Sequence, residues 1–286
     1  MSQDSRSATA SAPATSANLG PGFDCIALAL EIRSTVKASH AGQWSVEHVG
    51  RYQPGPEEGD GVLSAARRVV GDSTPLSIQV DADIPIGKGL GSSAAASVAG
   101  IAAALRLTGE EPNPDHVYRI AVEMEGHADN VAAAVYGGLT LVPAEGMPLR
   151  LPFHPALQVV IAVPARHLPT EQARLVIDPV HPQDRVLRSL ARVAALTAGL
   201  ITGDPELLTA AHGDEIHERP RDGLSPEVAG LIEVAKQAGA LHAARSGAGP
   251  SVIAFCTSET REKVVAAFTE TGVDALTPQL ATTGLI

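Results

Sequence analysis

Apolar residues recur along the chain in two patterns, which predict both strands and helices. Leu76, Ile78 and Val80 alternate with polar neighbours, as in a strand with one buried face. Residues 157–163, apolar except for Gln158, form a run of strand length. In residues 184–201 the apolar side chains instead follow a helical period, which indicates a long amphipathic helix. The pattern therefore predicts a protein built from both kinds of element.

Turn-forming residues mark where other elements begin and end. Asn113 as N-cap and Pro114 at the first helical position predict a helix that runs to Gly126. The Gly-Pro-Gly string at 20–22 predicts a loop over 15–24, because three consecutive turn formers fit neither a helix nor a central strand. Further strands are predicted at 8–14, 32–39, 44–49 and 252–255, and further helices at 62–70, 94–107, 130–136, 205–216 and 226–239.

A glycine-rich turn at 85–93 joins the alternating strand to an alanine-rich helix. Gly87, Gly89 and Gly91 allow the backbone to approach an anion closely, because they have no side-chain bulk and tolerate positive φ. The turn also brings unpaired backbone N–H groups and the positive end of the helix dipole to one point. This combination predicts a phosphate site, and an ordinary turn before a buried helix is the alternative.

Two serines after the last glycine distinguish this turn from the better-known phosphate motifs. A Walker A loop has Gly-Lys-Ser/Thr at this place, whereas Gly91 is followed by Ser92 and Ser93. A dinucleotide-binding fingerprint has a third glycine where Ser92 stands. The two hydroxyls can cap helix N–H groups, contact phosphate oxygens or bind Mg²⁺.

Composition and charge restrict the class of protein. The 286 residues, 44% of them hydrophobic, suffice for one large or two ordinary domains. The formal net charge of −11 argues against nucleic acid or an anionic membrane as a partner. Cys25 and Cys256 are the only cysteines, too few for a disulfide framework or a zinc quartet. Residues 1–12 lack the apolar run of a secretory signal, and the apolar run at 94–105 is too short to span a bilayer. We therefore expect a soluble, cytoplasmic protein.

An acidic protein that binds phosphate must concentrate its positive charge locally. The candidates are Lys88, Arg174, Arg219, Arg221 and Arg245. Arg174 follows Thr170 by four residues, so on a helix the two side chains share a face. Considered alone, such a pair is usually part of a solvated amphipathic turn.

Four polar functional side chains lie within six residues between two predicted helices. Gly126 as a C-cap and either Asp129 or Asn130 as an N-cap account for part of this cluster. Capping leaves Glu125 and His127 unexplained. The cluster therefore favours a functional role.

Motifs distributed along nearly the whole chain resemble those of the GHMP small-molecule kinases. Pro-x-x-x-Gly-Leu-Gly-Ser-Ser-Ala-Ala at 85–95 resembles their ATP-binding motif, and Ser-Gly-Ala-Gly-Pro-Ser at 246–251 resembles their third glycine-rich motif. Ala-Thr-Ser-Ala-Asn-Leu-Gly-Pro-Gly-Phe-Asp at 14–24 is similar to the N-terminal signature of the homoserine kinases within that family. Glu-Gly-His-x-Asp-Asn at 125–130 is also similar to homoserine kinases.

The resemblance implies an α+β, two-domain GHMP kinase fold with its substrates in the cleft between the domains. An N-terminal ribosomal-S5-like ATP domain is expected at 1–150 and a C-terminal ferredoxin-like α/β sandwich domain at 151–286. The implied reaction is ATP-dependent phosphorylation of the side-chain hydroxyl of L-homoserine to O-phospho-L-homoserine, a step toward threonine. A homodimer is one expectation. The alternatives are another GHMP kinase, acting on L-threonine or mevalonate, and a nucleotide-binding sensor without catalysis.

The same resemblance assigns cofactor roles. The expected ATP-binding residues are Pro85, Ile86, Gly87, Lys88, Gly89, Leu90, Gly91, Ser92 and Ser93. Ser93 and Glu125 are expected to hold Mg²⁺, with Glu123 as the alternative acid. Related kinases carry an aspartate base near the place where Asn130 stands, and an amide cannot take a proton. We therefore count Asn130 among the catalytic positions without assigning a general base.

Substrate roles follow from the resemblance as well. Asn18 and Asp24 are expected to hold the amino acid, with Asp24 facing its ammonium group. Arg174 and Arg221 are expected to bind the carboxylate, with Arg219 as a weaker candidate for the second arginine. The remaining expected substrate-site residues are Thr170, His127 and Asp129, the last of which orients His127.

Overall fold

A computed structural model describes residues 7–54 and 60–286, so the first six residues of the stretch examined for a secretory signal lie outside it. Within the described residues, a six-stranded sheet is formed by β1 (Ser7–Asn18), β2 (Gly22–His40), β3 (Ser45–His48), β4 (Leu76–Ala82), β5 (Leu139–Leu141) and β6 (Leu149–Leu151). The strand order is β3-β4-β2-β5-β6, and β1 pairs with β2 along most of its length. All pairs are antiparallel except β3 with β4.

Helices α2 (Ser92–Thr108) and α4 (Asp129–Tyr136) pack on the first sheet. Helix α1 (Gly61–Val70) packs on α2, and α3 (Pro114–Glu125) packs on α2 and α4. Helix α2 is buried on nearly all sides against β1, β2 and α1, which its small alanine side chains permit. The predicted start of α3 is confirmed, since the Asn113 side chain accepts from the backbone N–H of Asp115 at 2.9 Å. Gly126 ends this helix with φ of +73°.

A second sheet contains β7 (Gln158–Val163), β8 (His242–Arg245), β9 (Val252–Cys256) and β10 (Asp274–Leu276). Its strand order is β10-β7-β9-β8, and every pair is antiparallel. The intervening helices are α5 (Thr170–Leu175), α6 (Gln183–Thr202), α7 (Pro205–Ala210), α8 (Glu218–Arg221), α9 (Glu227–Gln237) and α10 (Arg261–Glu270). Counting α9 and α10 as the two crossover helices, the order is βαββαβ, which is ferredoxin-like. The expected α+β fold is confirmed.

After β10 the chain returns to the first sheet. Leu280 forms a bridge with Leu30, and the backbone N–H of Leu285 donates to the carbonyl of Val135 at 3.1 Å. Ile286 exchanges two backbone hydrogen bonds with Ser11, at 2.8 and 2.9 Å. The first sheet is therefore completed by residues from both ends of the described chain.

Three predicted elements have wrong boundaries. The loop over 15–24 is mostly strand, because β1 continues to Asn18 by pairing with β2 and only residues 19–21 turn. β2 is likewise a single strand from 22 to 40, where the pattern predicted only 32–39. The helix predicted at 205–216 ends at Ala210, because Gly213 has φ of +83° and interrupts it.

The predicted division between residues 150 and 151 falls inside β6, which belongs to the first sheet, whereas β7 begins the second. The position of the domain boundary stays a prediction. In the described part of the chain, none of the helices is both long and apolar enough to cross a bilayer.

Candidate active site

A cavity of about 750 Å³ lies where α2 and the start of α4 face α5 and α8. It brings together most of the residues that the sequence singled out from five separate segments of the chain. Those lining it are Asn18, Ile86, Gly87, Gly89, Leu90, Gly91, Ser92, Ser93, Glu125, His127, Asp129, Asn130, Thr170, Arg174 and Arg221. Pro85, Lys88 and Asp24 are not in its lining, and neither are the alternatives Glu123 and Arg219.

The glycine-rich turn presents the N-terminus of α2 to the cavity. Gly87, Gly89 and Gly91 all have positive φ, between 64° and 73°. Gly91 is the N-cap and supplies no side-chain oxygen, so the first N–H groups of the helix stay open. Ser92 and Ser93 are the first helical residues and do not cap it, contrary to one of the roles considered above. An anion would meet these N–H groups and the positive end of a 17-residue helix.

The same glycines are needed for packing. A Cβ on Gly89 would overlap the carbonyl oxygen of Ser246, and one on Gly91 would overlap the hydroxyl of Thr15. The Ser246 hydroxyl also lies 2.7 Å from the carbonyl oxygen of Gly89, as its donor. The third glycine-rich motif therefore holds the turn from behind.

Replacing Gly89 with alanine is expected to weaken ATP binding at least about tenfold, because the new Cβ forces the turn away from Ser246. Calorimetric titration with ATP measures the effect. Gly109→Ala is the matched control: Gly109 also has positive φ, +90°, but a Cβ there meets nothing within 4 Å. Equal ATP affinity of the Gly89 variant and wild type would contradict the prediction.

Lys88 makes a different contact from the one expected of a phosphate ligand. Its ammonium group donates to the backbone carbonyls of Ala165 and Arg166, the latter at 2.6 Å. Burial lowers the pKa of Lys88. The backbone N–H of Leu168 donates to the carbonyl of Gly87 at 3.0 Å in the same region. Lys88 thus fastens the segment that leads into α5 against the phosphate turn, and its ATP contact stays a prediction.

Ser93 and Glu125 lie together, as a shared cation would require. The Ser93 hydroxyl donates to Glu125 Oε1 at 2.9 Å, and the Ser97 hydroxyl donates to the same oxygen at 2.7 Å. Glu123 points elsewhere and pairs with Arg68 on the surface at 2.9 Å. Of the two acids considered, Glu125 is therefore the one that faces the cavity.

His127 lies between two carboxylates. Its Nδ1 is 3.3 Å from Asp129 Oδ1, and its Nε2 is 4.0 Å from Glu125 Oε2. Burial by itself lowers the pKa of His127, but the carboxylates of Asp129 and Glu125 together outweigh burial and raise the pKa overall. Asp129 is 2% exposed and also accepts from the backbone N–H of Asn130 at 2.8 Å. This carboxylate thus anchors both the imidazole and the start of α4.

Thr15 is a neighbour of the site that the sequence analysis missed. Its hydroxyl donates to Asn130 Oδ1 at 2.7 Å, so the Asn130 amide nitrogen remains available to donate into the cavity. Thr15 lies within the quoted N-terminal signature, which is the one signal that could have identified it.

Asp24 and Arg174, expected to bind opposite ends of the substrate, are paired with each other. Two hydrogen bonds of 2.7 and 3.1 Å join the guanidinium to the carboxylate. Asn18 fixes the start of β2, which carries Asp24: its Oδ1 accepts from the Asp24 N–H, and its Nδ2 donates to the carbonyl of Gly247, both at 3.0 Å. Both Asn18 and Asp24 have positive φ, 68° and 56°.

Arg221 is a buried cation, only 2% exposed. Its guanidinium donates to the carbonyls of Ala173 and Gly247 at 3.0 and 3.3 Å and to His217 Nδ1 at 2.8 Å. Among residues 7–54 and 60–286 no carboxylate forms an ion pair with it. Burial, with the nearby charges of Arg245 and Arg174, lowers the pKa of Arg221 to about 10. A buried cation that has no ion-pair partner and lines a cavity favours an anionic ligand.

Two of the other basic candidates lie outside the cavity. Arg245 is fully buried behind it and pairs with Asp222 at 3.0 Å. Arg219 is exposed on α8. Of the two arginines considered for this position, Arg221 is the one that reaches the cavity.

Family models match two parts of this chain. The model described as GHMP kinases N terminal domain matches residues 60–138, and the one described as GHMP kinases C terminal matches residues 185–274. Together with the fold and the cavity, these matches define a kinase of the GHMP class.

Relatives that match this chain over most of their length identify the family within the GHMP kinases. A homoserine kinase of Moorella thermoacetica is 34% identical, covering 94% of this chain and 95% of the relative. One from Thermus thermophilus is 37% identical over 89% of each chain. The crystal structure of homoserine kinase from Cytophaga hutchinsonii superposes with a TM-score of 0.85 at 28% identity, covering 99% of this chain and 97% of that one. The mevalonate kinase of Methanococcus jannaschii shares the fold, with a TM-score of 0.72 at 15% identity and coverage of 95% and 98%. The chain belongs to the homoserine kinase family of GHMP kinases.

Proposed function

We propose that this protein transfers the γ-phosphoryl group of ATP to the side-chain hydroxyl of L-homoserine and releases O-phospho-L-homoserine and ADP. The observation that supports this most directly is the composition of one cavity. The phosphate turn and the buried cation of Arg221 line the same cavity, and Arg221 has no ion-pair partner among the described residues. A substrate that is both an alcohol and a carboxylate fits between them.

ATP would place its β- and γ-phosphates on the turn formed by residues 87–93, against the open N–H groups of α2. Oxygen donors suit Mg²⁺, and Ser93 with Glu125 provides a hydroxyl and a carboxylate 2.9 Å apart. A bound Mg²⁺ would neutralise charge on the transferring phosphoryl group. Phosphate oxygens and water would complete its coordination.

The nucleoside would occupy a second cavity of about 150 Å³ that adjoins the first. The two cavities share Ile86, Ser92 and Ser93, the residues at the junction of the turn and α2. Tyr52 and Val62 also line the second cavity. In this location the base would lie beside the first sheet and the phosphates on the turn.

When the amino acid binds, its charged groups would take the place of the ion pair that Asp24 and Arg174 form with each other. Its ammonium group would go to the Asp24 carboxylate, and its carboxylate to the guanidinium groups of Arg174 and Arg221. Asn18 fixes the backbone of Asp24, as its 3.0 Å hydrogen bonds show. Thr170, His127 and Asp129 would complete the substrate site.

Proton transfer needs no dedicated base in this proposal. Phosphoryl transfer proceeds through a loose transition state, in which positioning and charge neutralisation supply most of the rate. Asn130 can donate from its amide nitrogen, because Thr15 occupies its oxygen, but it cannot take a proton. The hydroxyl proton would therefore pass to the phosphate.

A coupled assay of ADP release against homoserine, threonine and mevalonate tests the function. Turnover that is at least about a hundredfold more efficient with homoserine is the expected result, because only homoserine pairs a γ-hydroxyl with both charged groups. ATP binding without turnover on any of the three would instead favour the sensor. Preferred turnover of threonine or mevalonate would identify another GHMP kinase.

The remaining expectations are part of the same proposal. A cytoplasmic location, a homodimer, and the absence of nucleic-acid and membrane partners stay predictions. The division into domains at 1–150 and 151–286 does as well.

A further inference from the structure

To bind a carboxylate in the cavity, the guanidinium group of Arg221 must be held in the correct orientation. Its Nε and Nη1 are used by Ala173, Gly247 and His217, at 3.0, 3.3 and 2.8 Å, while its Nη2 makes no hydrogen bond within the described residues. Arg221 lines the cavity, so this second nitrogen is the one available to a ligand. The direction of the guanidinium therefore depends on the three acceptors behind it.

Of these acceptors, His217 is the only side chain. Arginine has donors and no acceptor, so His217 Nδ1 must be unprotonated to receive the 2.8 Å hydrogen bond. The ring proton then lies on Nε2, which is 2.7 Å from the carbonyl oxygen of Gly20 and donates to it. Both nitrogens of a fully buried imidazole are thus used, and the neutral Nε2–H tautomer is the one that satisfies both contacts.

The surroundings of His217 keep it neutral and fixed. Burial lowers its pKa to about 4. The charged groups facing it are the Asp214 carboxylate, 3.8 Å from Nε2, and the guanidinium groups of Arg221 and Arg245. Asp214 Oδ2 also accepts from the backbone N–H of His217 at 2.6 Å, which fixes the backbone on which the ring is mounted.

His217 also connects Arg221 with the turn that precedes Asp24. Its ring stacks on Phe23 with centroids 4.8 Å apart and planes 15° from parallel. The Arg221 guanidinium lies 5.6 Å from the centre of the same Phe23 ring. One imidazole therefore contacts both elements that would bind the amino acid.

We infer that His217 is the positioning residue of the carboxylate site: it holds Arg221 through Nδ1 and the turn at Gly20 through Nε2, without touching substrate. This inference rests on the proposed function, because it assigns Arg221 to the carboxylate of the amino acid. It adds a residue that the sequence patterns did not single out.

Two substitutions of His217 test the roles of its two ring nitrogens separately. His217→Asn places an amide oxygen near the position of Nδ1 and can still accept from Arg221. His217→Gln reaches toward the position of Nε2, so it can still donate to Gly20 but leaves Arg221 without this acceptor. We expect His217→Gln to raise the KM for homoserine at least about tenfold, and His217→Asn to raise it less than about threefold. The KM for ATP should change less than about twofold in both.

If His217 had a merely structural role, both substitutions would raise the KM for homoserine in proportion to their loss of thermal stability. That result would overturn the inference. So would an unchanged homoserine KM in the glutamine variant. In the Arg221→Ala background, His217→Gln should have no further effect on this KM, and an additional tenfold rise there would also overturn it. Wild-type turnover of homoserine in the same assay tests the proposed function separately. If wild type turns over homoserine and the variants do not differ, only the role of His217 fails.

Discussion

Arg221→Ala is expected to lower kcat/KM for homoserine between about tenfold and a hundredfold while ATP affinity stays within about twofold. The side chain is 2% exposed and forms no ion pair within the described residues, so the substrate carboxylate would be its counter-ion. A lost charge-assisted contact is worth about 1.5–3 kcal/mol, which corresponds to this range. Steady-state kinetics with homoserine and calorimetry with ATP provide the two measurements.

The matched control is Arg219→Ala. Arg219 stands two residues away on the same short helix, but it is exposed and does not line the cavity. Its removal should leave homoserine kinetics within about twofold of wild type. The Arg221 variant should also lose preference for homoserine over 3-amino-1-propanol, which lacks the carboxylate. If that preference is retained, the carboxylate binds elsewhere.

Arg174→Lys should be nearly as harmful to homoserine kinetics as Arg174→Ala, although it keeps the charge. The observed pair with Asp24 uses two guanidinium nitrogens on two carboxylate oxygens, at 2.7 and 3.1 Å. An ammonium group cannot reproduce this planar fork on a carboxylate ligand. The comparison therefore tests whether geometry or charge matters at this position.

Glu125→Gln is expected to lower kcat at least about a hundredfold, because it removes the carboxylate charge proposed to hold Mg²⁺ beside the phosphates. The glutamine oxygen can still accept from Ser93 and Ser97, so the local hydrogen bonds at 2.9 and 2.7 Å need not be lost. Titration of activity with Mg²⁺ is the second measurement, and the variant should require a higher concentration.

Glu123→Gln is its control. That carboxylate is exposed and bonded to Arg68, and surface pairs of this kind contribute about 0–1 kcal/mol. The Glu123→Gln variant should therefore turn over homoserine at the wild-type rate. Should the Glu123 variant be the inactive one, the metal ligand would be reassigned to it.

Local sequence signals located the elements of the candidate site but could not specify the contacts between them. The turn before α2 was predictable because its chemistry depends on residues adjacent in sequence: glycines, two serines and a helix former. Asp24 and Arg174 are 150 residues apart, and no spacing rule shows that they form a bidentate pair. Thr15 escaped for the same reason, since its partner Asn130 is 115 residues away.

Lys88 shows that a motif does not specify all the contacts of its side chains. Its position in the phosphate turn predicts an ATP contact, which stays a prediction, and its ammonium group also reaches the carbonyls of Ala165 and Arg166, which the motif did not indicate. The backbone around Lys88 follows the motif, whereas the ammonium group binds carbonyls in the segment between β7 and α5. His217 is the converse case, because a lone histidine in sequence gave no sign that both of its nitrogens are used.

The return of the chain from β10 to the first sheet makes the ferredoxin-like unit an insertion. It is attached twice, by the segment that enters β7 and by the one that leaves β10, and those strands are neighbours. The same topology means that a single cut between 150 and 151 would not yield two independent units, since Leu280 and Ile286 would be separated from the strands they complete. Excising the insertion would take two cuts, one on each side.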